Sequence, residues 1–294
     1  MSTLPHPPPG PDPAELARLG LTRVGGRPPL GAYLAQVWQR RGFVTALARY
    51  RIEAENGRNR LGLGWVVLRP LINAGIYGAV LGLLLRTNRD VDDFVPFLVI
   101  GVFMFEYFST CFTNGSRAIT ANAALVQSLS FPRMALPLAA VVQRFLQLVP
   151  MVVIMAVVAV AWGNPPDVGW LLLVPLLALF TCFNLGLTLV MARLTVHSRD
   201  LTQVLPFVSR LFFYTSGIFF SIEARFPEGS LVRAVADGQP IHEFLTLARA
   251  ILLDGPGYAM PWEYWGFAAL WSLGLLAVGV VFFWAAEERY GRVD

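Results

Sequence analysis

The sequence lacks lysine: its 23 basic residues are all arginine, and charged residues make up only 14% of the 294 positions. A nucleotide-binding loop of the form G-x-x-x-x-G-K-[ST] requires a lysine, so the chain holds no such loop of its own. A soluble protein of this length carries roughly 25% charged residues. The scarcity of charge therefore indicates a protein whose main solvent is lipid.

Cysteine and histidine are also scarce. Cys111 and Cys182 both lie in apolar stretches, while His6, His197 and His242 lie far apart in sequence. A disulfide or a metal site between the two cysteines stays open, although small buried hydrophobic residues are the preferred interpretation. The sequence contains no H-E-x-x-H motif, Cys/His cluster or G-x-S-x-G elbow, and so it indicates no catalytic residues, metal site or cofactor in this chain.

The first thirty residues are rich in proline, with eight prolines between Ser2 and Pro29. They lack the apolar run that a secretory signal requires. A proline-rich polar segment cannot bury enough apolar surface to order itself. We predict a disordered cytosolic tail over residues 1–30.

Six apolar windows are long enough to cross the hydrocarbon layer, which takes roughly 20 residues. They are Val66–Leu85, Phe94–Thr113, Met134–Trp162, Val168–Ala192, Leu201–Ile222 and Trp262–Ala286. Pro70 and Pro137 stand near the starts of two windows, where a helix tolerates proline. We predict an all-α integral membrane protein with six transmembrane helices in residues 58–286 and a cytosolic C-terminal tail over residues 287–294.

Loop charges predict how the spans are oriented. The stretch from Gln36 to Arg69 holds seven arginines and two glutamates, whereas Arg86–Asp93 and Glu223–Pro261 hold more acidic than basic residues. Basic loops stay on the cytoplasmic side of a membrane. The N-terminus and the C-terminus are therefore both expected in the cytoplasm.

Gly75, Gly78 and Gly82 lie three and four residues apart in the first window. Small residues at such spacing let two membrane helices approach closely. We expect the first span to pack tightly, at a seam between two copies of the chain.

Two further segments are predicted to be helical without spanning. From Ala32 to Asn56, apolar residues recur at helical spacing with most arginines away from the stripe. This pattern is typical of an amphipathic helix at the membrane interface, assigned here to residues 31–57. Ile241–Leu253 has the same spacing on the predicted outer side and indicates a re-entrant or surface helix.

The connection Asn114–Arg133 is too polar to span and too apolar to be a free linker. Ala118–Leu129 can form a short helix that stops at Phe131–Pro132, because the residue before a proline disfavours helix. A compact helix on a cytosolic loop suits docking to a partner outside the bilayer. An ordinary interfacial turn is the alternative.

The acidic run Asp90-Val91-Asp92-Asp93 in the first outer loop allows an enzymatic alternative. Membrane glycosyltransferases that use lipid-linked sugars carry acidic residues in such a loop, where they hold a divalent cation. Six spans are few for that class, and acids in a short wet loop are usually only solvated.

Four motifs resemble those of ABC-transporter permeases that export polysaccharides, a class that includes O-antigen and teichoic-acid exporters. They are Arg60-Leu61-Gly62-x-x-Trp65-x-x-Leu68-x-Pro70-Leu71; Asn122-Ala123-x-Leu125-Val126 followed by Phe131-Pro132-Arg133 and Pro137-Leu138; Arg199-Asp200-Leu201; and Ser216-Gly217-Ile218-Phe219-Phe220-Ser221. The resemblance covers Ala32–Arg289 and looks closest to the galactan exporters of mycobacteria-like actinobacteria. That family more often has proline where this chain has Gly217, a departure expected to loosen the outer turn.

The resemblance implies a type-2 ABC exporter in the bacterial cytoplasmic membrane. Two copies of this chain would pair with two copies of a separate ATPase, which would bind the ATP and magnesium. The cargo would be a polyprenyl-diphosphate-linked glycan, with membrane lipids around it and no nucleic acid. The coupling residues would be Ala118, Asn122, Leu125, Phe131, Pro132 and Arg133. A permease for a drug or lipid and, third, a glycosyltransferase remain alternatives.

Arginines at the cytoplasmic start of the first span suit a diphosphate, because guanidinium groups donate bidentate charge-assisted hydrogen bonds. We assign the diphosphate entrance to Arg58, Arg60 and Arg69; snorkelling of Arg69 to the headgroups is the alternative. Aromatic rings that contact sugar C–H groups would line the glycan channel. The candidates are Phe103, Tyr107, Phe108, Phe212, Phe213 and Tyr214. Glu106, beside them, is expected to face the bundle interior or a wet path.

Overall fold

The computed structural model describes residues 28–57, 60–62, 64–80, 93–128, 131–227 and 229–287, and in these ranges the chain forms twelve α-helices and no strand. The α-helices are α1 (Leu30–Gln39), α2 (Arg41–Asn56), α3 (Gly64–Gly78), α4 (Phe94–Gly115), α5 (Ala123–Ser128), α6 (Ala135–Ala161), α7 (Leu173–His197), α8 (Leu201–Thr215), α9 (Ile222–Arg225), α10 (Leu231–Asp237), α11 (Pro240–Leu252) and α12 (Trp262–Trp284). Short 3-10 turns occupy Thr120–Asn122, Val168–Leu172 and Pro256–Tyr258.

Four described helical segments are long and apolar enough to cross a membrane: Phe94–Gly115, Ala135–Ala161, Val168–His197 and Trp262–Trp284. They agree with four of the six predicted windows. The first window begins on α3, but its residues 81–85 lie outside the described part of the chain, so its crossing stays a prediction. Residues 1–27 and 288–294 also lie outside the described part of the chain. They make up the two predicted tails except for Pro28–Leu30 and Glu287, which are described.

The fifth window, Leu201–Ile222, was predicted too long. Its helix α8 has only 15 residues, which span about 22 Å, short of the roughly 30 Å of hydrocarbon. The helix is followed by Gly217, whose φ of +68° is left-handed. Proline, fixed near φ −65°, cannot adopt that conformation.

The turn at Gly217 is also held firmly. The guanidinium of Arg249 donates hydrogen bonds to the carbonyl oxygens of Gly217 and Ile218 at 3.0 and 3.2 Å. It donates a third to the carbonyl of Phe97 at 3.3 Å and lies 3.4 Å from the centre of that ring. The expectation of a loosened outer turn was therefore wrong: glycine permits the conformation and Arg249 fixes it.

The predicted interfacial helix is divided in two at Arg40, between α1 and α2. Three apolar residues of the predicted stripe are buried: Val37 and Val44 lie in the clusters that join these helices to the bundle, and Ala48 is fully buried as well. Trp38 from the same stripe is 70% exposed. The apolar residues thus form two surfaces. One packs against the bundle, and the other faces outward, where an exposed indole is favourable at the membrane interface.

Helix α4 forms the centre of the bundle. Most of its residues are buried, and it packs against α3, α6, α7, α8 and α11. Tyr107 and Phe108 meet Phe180 and Phe183 of α7 through ring contacts at 5.5 and 6.4 Å. A helix that is apolar on all sides belongs in such a position.

The closest helix contact lies between α7 and α12. A Cβ atom added at Gly279 would overlap the carbonyl oxygen of Gly186, and one at Gly186 would lie 2.5 Å from the backbone of Leu275. Gly75, in contrast, has no heavy atom within 4 Å of such a Cβ. Gly78 is more closely packed, since a Cβ added there would lie 3.2 Å from the Leu98 side chain of α4. The seam between two copies stays a prediction, and Gly82 lies outside the described residues.

Helix α11 matches the predicted helix over Ile241–Leu253 to within one residue. Pro240 begins it, a favoured first position because its missing N–H would have no helical partner. Ten of its 13 residues are buried, and it packs against α4, α7 and α12. Burial within the protein fits both alternatives for this segment, so its place at the membrane surface or as a re-entrant helix stays a prediction.

Candidate functional site

A cavity of about 410 Å³ lies between α2, α3, α4 and α6. It is near the end of the bundle that the sequence predicts to be cytoplasmic, where α1 and α2 pack. Its polar lining consists of Glu55, Arg69, Glu106, Tyr107, Thr110, Asn114, Arg144 and Gln147. We call it the inner cavity.

One side of the inner cavity is a closed hydrogen-bond network. The guanidinium of Arg144 donates to both carboxylate oxygens of Glu55, at 2.9 and 3.2 Å. It also donates to the side-chain oxygen of Gln147 at 2.7 Å, whose amide donates to Glu55 at 3.3 Å. Because Glu55 is 89 residues from Arg144 and 92 from Gln147 in sequence, no local pattern could have shown the network.

Of the three predicted diphosphate ligands, only Arg69 lines the inner cavity. Arg58 lies outside the described residues, and Arg60 is exposed in the turn before α3. Arg69 is exposed and lies 5.9 Å from the centre of the Trp65 ring. Among the described residues it has no carboxylate partner. Its cation is therefore free to bind an anionic ligand.

A second cavity of about 210 Å³, called here the middle cavity, lies between α3, α4 and α8. Glu106 lines both cavities. The hydroxyls of Ser109 and Ser209 lie 2.8 Å apart and join α4 to α8 at its edge. Arg210, which the sequence analysis did not single out, lines this cavity on α8.

The six predicted channel aromatics divide into two groups. Phe103, Tyr107 and Phe108 are at most 2% exposed and contribute to the core, although Tyr107 also borders the inner cavity. Phe213 and Tyr214 line the middle cavity, and Phe212 is half-buried beside them. The middle cavity gains two further rings, Tyr77 and Phe105, because α3 and α4 converge there.

The predicted coupling loop is less helical than expected. Residues 118–129 were predicted as one helix, but the structure has turns, the 3-10 turn Thr120–Asn122 and then the six residues of α5. The Asn122 side chain donates to the carbonyl of Ala118 and accepts from Arg51, at 2.7 and 3.2 Å. That local bonding competes with regular helix.

The coupling residues lie mostly against the protein. Ala118 is buried, and Leu125 and Phe131 join the apolar cluster beneath the loop. The Phe131 ring is 5.4 Å from that of Phe43, and Pro132 is buried. The loop leaves Ala121 and Ala124 exposed.

Three distant segments meet at Tyr33, Arg133 and Glu287, a cluster called here the inner latch. Glu287 accepts from the Tyr33 hydroxyl at 2.7 Å and from the Arg133 backbone N–H at 3.0 Å. The Arg133 guanidinium also donates to the Glu287 carbonyl at 2.6 Å. Burial raises the pKa of Glu287, although the hydrogen bonds from Arg133 and Tyr33 act in the opposite direction. The latch fixes the end of the coupling loop.

The coupling loop is also bonded to α8. Pro206 has no N–H, so the carbonyl of Thr202, four residues earlier, lacks its helical donor. The guanidinium of Arg117 donates to that carbonyl at 2.9 Å. A proline inside a helix is a visible sequence signal, but its partner in the loop is not.

No group of three or more His, Cys, Asp or Glu residues able to hold a metal occurs among the described residues. Of the acidic run in the first outer loop, only Asp93 falls in the described chain, and its carboxylate accepts from the Asn164 amide at 3.1 Å. Asp90 and Asp92 lie outside it. Cys111 and Cys182 are both free thiols, so the disulfide alternative does not hold.

Comparison with known proteins identifies the family. The sequence profile of the ABC-2 type transporter family matches residues 44–253, well over half of the chain. The chain belongs to the ABC-2 type transporter family. The family resemblance drawn from the four motifs is thereby confirmed, while the finer likeness to galactan exporters stays a prediction.

Individual relatives of this ABC-2 protein are permeases named for polysaccharide export. It is 26% identical to the O-antigen export system permease protein RfbA of Myxococcus xanthus, over 87% of this chain and 94% of the relative. It is 24% identical to an RfbA of Klebsiella pneumoniae, over 79% and 87%. It is 26% identical to the polysialic acid transport protein KpsM of Escherichia coli, over 83% and 93%.

Family membership settles the class of this ABC-2 chain. It is a multi-pass membrane permease, a transport subunit of a family that works with ABC ATPases. The four apolar helical segments agree with that class. The placement of both termini in the cytoplasm stays a prediction.

Proposed function

We propose that this permease exports a polysaccharide attached to a polyprenyl diphosphate, with cell-wall galactan as the favoured glycan. The names of its relatives support the polysaccharide, since they include O-antigen, capsule and polysialic acid transport proteins. The motif resemblance favours galactan. The observation that carries the lipid diphosphate is Arg69, an unpaired cation on a large cavity at the predicted cytoplasmic end.

The diphosphate binds at the mouth of the inner cavity. Arg69 offers a planar pair of donors that matches two phosphate oxygens, and Arg60 stands exposed one turn before α3. Glu55 does not compete for Arg69, because Arg144 and Gln147 already occupy its oxygens. Arg58 completes the proposed set from outside the described residues.

Two copies of the permease work with two ABC ATPase subunits, which bind the ATP and magnesium. The exposed Ala121, in the 3-10 turn, and Ala124, on α5, give the coupling loop a surface of small side chains for such a partner. A push on the loop reaches α8 through the hydrogen bond from Arg117 to the Thr202 carbonyl. Because α8 lines the middle cavity, closure of the ATPases moves a wall of the proposed glycan path.

The proposal is tested by ATP hydrolysis and flipping assays on the permease reconstituted in lipid with its ABC ATPase. Polyprenyl-diphosphate glycan should stimulate hydrolysis and appear on the opposite leaflet. Stimulation by small amphiphiles alone would replace the proposal with a drug or lipid exporter. Sugar transfer without ATP would replace it with a glycosyltransferase.

The diphosphate site is tested with Arg69→Ala in the same assay. Loss of a bidentate charge-assisted contact should raise the half-stimulating carrier concentration about tenfold. Arg49→Ala is the matched control, since Arg49 is exposed on α2 and does not line the cavity. Equal responses of the two variants would remove Arg69 from the site.

The coupling route is tested with Arg117→Ala. This variant should still bind the ATPase and hydrolyse ATP but respond less to glycan, because the loop loses its bond to α8. Glu287→Gln keeps the shape of the inner latch and is the matched comparison. Full glycan stimulation of Arg117→Ala would show that force reaches α8 by another route.

A further inference from the structure

Two opposite charges line the middle cavity: Glu106 on α4, which is half-buried, and Arg210 on α8, which is exposed. At 1.5 Å per residue, Glu106 lies about 18 Å along α4 from Phe94, and Arg210 about 13 Å along α8 from Leu201. Glu106 lies nine residues before the end of α4 and Arg210 five residues before the end of α8, so both lie inside apolar helices of the bundle. Charged groups are costly there and mark pathways for polar cargo.

Neither charge is satisfied by the described protein. The Glu106 carboxylate and the Arg210 guanidinium have no hydrogen bond or ion pair among the described residues. Two arginines that lie inside the bundle are partnered in contrast: Arg144 forms an ion pair with Glu55, and Arg249 donates to three carbonyls. The middle cavity thus presents a donor and an acceptor that a ligand can use.

The remaining lining suits a carbohydrate. Asn73 and Ser209 add polar groups, while Tyr77, Phe105 and Phe213 add aromatic surface. The rings of Phe105 and Phe213 meet edge to face at 5.0 Å. Aromatic faces can contact the C–H groups of a sugar ring, and the polar groups can form hydrogen bonds with its hydroxyls.

The charge balance selects a neutral ligand. Arg210 would attract a diphosphate, but Glu106 faces the same space and opposes it. A sugar has hydroxyls that donate to the carboxylate and accept from the guanidinium, so it uses both. Glu106 lines the inner cavity as well, but there Arg69 is joined by the exposed Arg60 in the turn before α3, whereas Arg210 is the only arginine among the described residues that line the middle cavity. An anion therefore gains most at Arg69, and a neutral sugar gains most at the middle cavity.

We infer that Glu106 and Arg210 form a binding site for uncharged sugar units of the exported glycan, separate from the diphosphate site at Arg69. The inference rests on the proposed function and names which part of the cargo each cavity holds. A carrier held at Arg69 brings its sugars to Glu106, because both residues line the inner cavity. Glu106 then passes them to the middle cavity, whose wall it shares.

The test is binding of two probes to the full-length permease in lipid nanodiscs. One probe is polyprenyl diphosphate alone, and the other is the same carrier bearing the neutral glycan extracted from host membranes. The wild type should bind the glycosylated probe more tightly. Glu106→Gln and Arg210→Gln should each lower that preference about tenfold. Arg210→Gln should leave the affinity for the bare carrier unchanged, and Glu106→Gln, which removes a negative charge from the wall of the inner cavity, should not weaken it.

Two variants serve as controls. Arg69→Ala should weaken both probes equally and keep the preference. Gln203→Ala, on the exposed cytoplasmic part of α8 and off the cavity, should change neither. Should Arg210→Gln fail to fold, Arg210→Lys keeps the charge but loses the bidentate fork, and it should lose part of the preference.

The outcomes separate the two proposals. A wild type that binds glycosylated and bare carrier equally, and does not flip glycan, would overturn the proposed function. A wild-type preference that survives in Glu106→Gln and Arg210→Gln would overturn the sugar site alone. If Arg210→Gln binds the bare carrier more weakly, Arg210 is a diphosphate ligand. If Arg210→Gln loses an oligomer but keeps the preference, Arg210 is a charge at an interface between copies. Either result also overturns the inference.

Discussion

The α7–α12 pair and the outward surfaces of α3 and α8, called here the α3–α8 face, differ in how much of their surface is covered by the protein itself. Across α7 and α12, glycines bring the backbones into contact, and Arg193 of α7 donates to the carbonyl of Phe282 and lies over its ring. Along α3 and α8, large apolar side chains stay exposed: Ile76 is 56% and Phe207 69% accessible. The contact surface of α7 and α12 is buried within the chain, so we call this pair, together with α11 that packs against it, the closed region. The apolar surface of the α3–α8 face must be covered by lipid or by another protein.

The contrast extends to the charged groups. At the closed end near α11, Arg249 satisfies three carbonyls, and in the inner latch Glu287 is bonded on both carboxylate oxygens. On the α3–α8 side, Arg69, Glu106 and Arg210 have no such partner among the described residues. Stability and function therefore depend on different parts of the bundle. Hydrogen-bonded charges stabilise the closed region, whereas the unpaired groups of the α3–α8 face are available to lipid, cargo or a second copy of the chain.

The largest effect is expected where the two regions meet, at Arg249. Arg249→Met leaves the carbonyls of Phe97, Gly217 and Ile218 without their donor, which costs about 4 kcal/mol over the three groups. Arg225→Met, at an exposed site on the same end, is the matched control. Thermal unfolding in detergent should show a lower midpoint for Arg249→Met only, and equal midpoints would mean that other donors or water replace the guanidinium.

The closed pair is tested next with Gly279→Ala. A methyl group there overlaps the Gly186 carbonyl oxygen, and a helix backbone cannot yield as a flexible side chain does, so a loss of about 3 kcal/mol is expected. Gly274→Ala, on the same helix with no heavy atom within 4 Å of the new Cβ, should be neutral. Matching thermal midpoints of the two variants would contradict the close contact.

These residues show what the sequence could and could not predict. Long apolar windows and the 3.6-residue stripe of α11 are local signals, and four of the six windows and the stripe led to the right helices. The inner latch joins residues 254 apart, and Glu106 became a shared wall only when α3, α4 and α8 converged. Such features depend on tertiary packing. A charge inside an apolar window is a local signal, and it marks Arg210 in Leu201–Ile222 as well as Glu106 in Phe94–Thr113, although only Glu106 was singled out.

A titratable group inside the closed region gives a pH test. Glu243 on α11 is buried with no hydrogen-bond partner for either carboxyl oxygen among the described residues. Burial first, and then the charge of Asp237, raises the pKa of Glu243 to about 7. In the unfolded chain a glutamate titrates near about 4.3. The stability that this difference contributes is complete below the unfolded value and is lost as pH rises through about 7.

The wild type should therefore lose about 2 kcal/mol between about pH 5 and pH 8 relative to Glu243→Gln. The amide cannot ionise, so the difference between the two proteins isolates this carboxyl from other titrations. Thermal midpoints of both proteins measured across that range provide the check. Parallel curves would show that Glu243 has found a partner or water that holds its charge.

The smallest effect is expected on the open face, with Gly75→Ala. Gly75 lies on α3 with free space around it, and alanine is a better helix former by up to about 1 kcal/mol. The variant should be as stable as the wild type or slightly more so, in contrast to Gly279→Ala. A marked loss, seen only when the permease is an oligomer, would place a second copy of the chain against α3. That outcome would confirm the seam predicted from Gly75 and Gly78 and show that the open face is covered by protein.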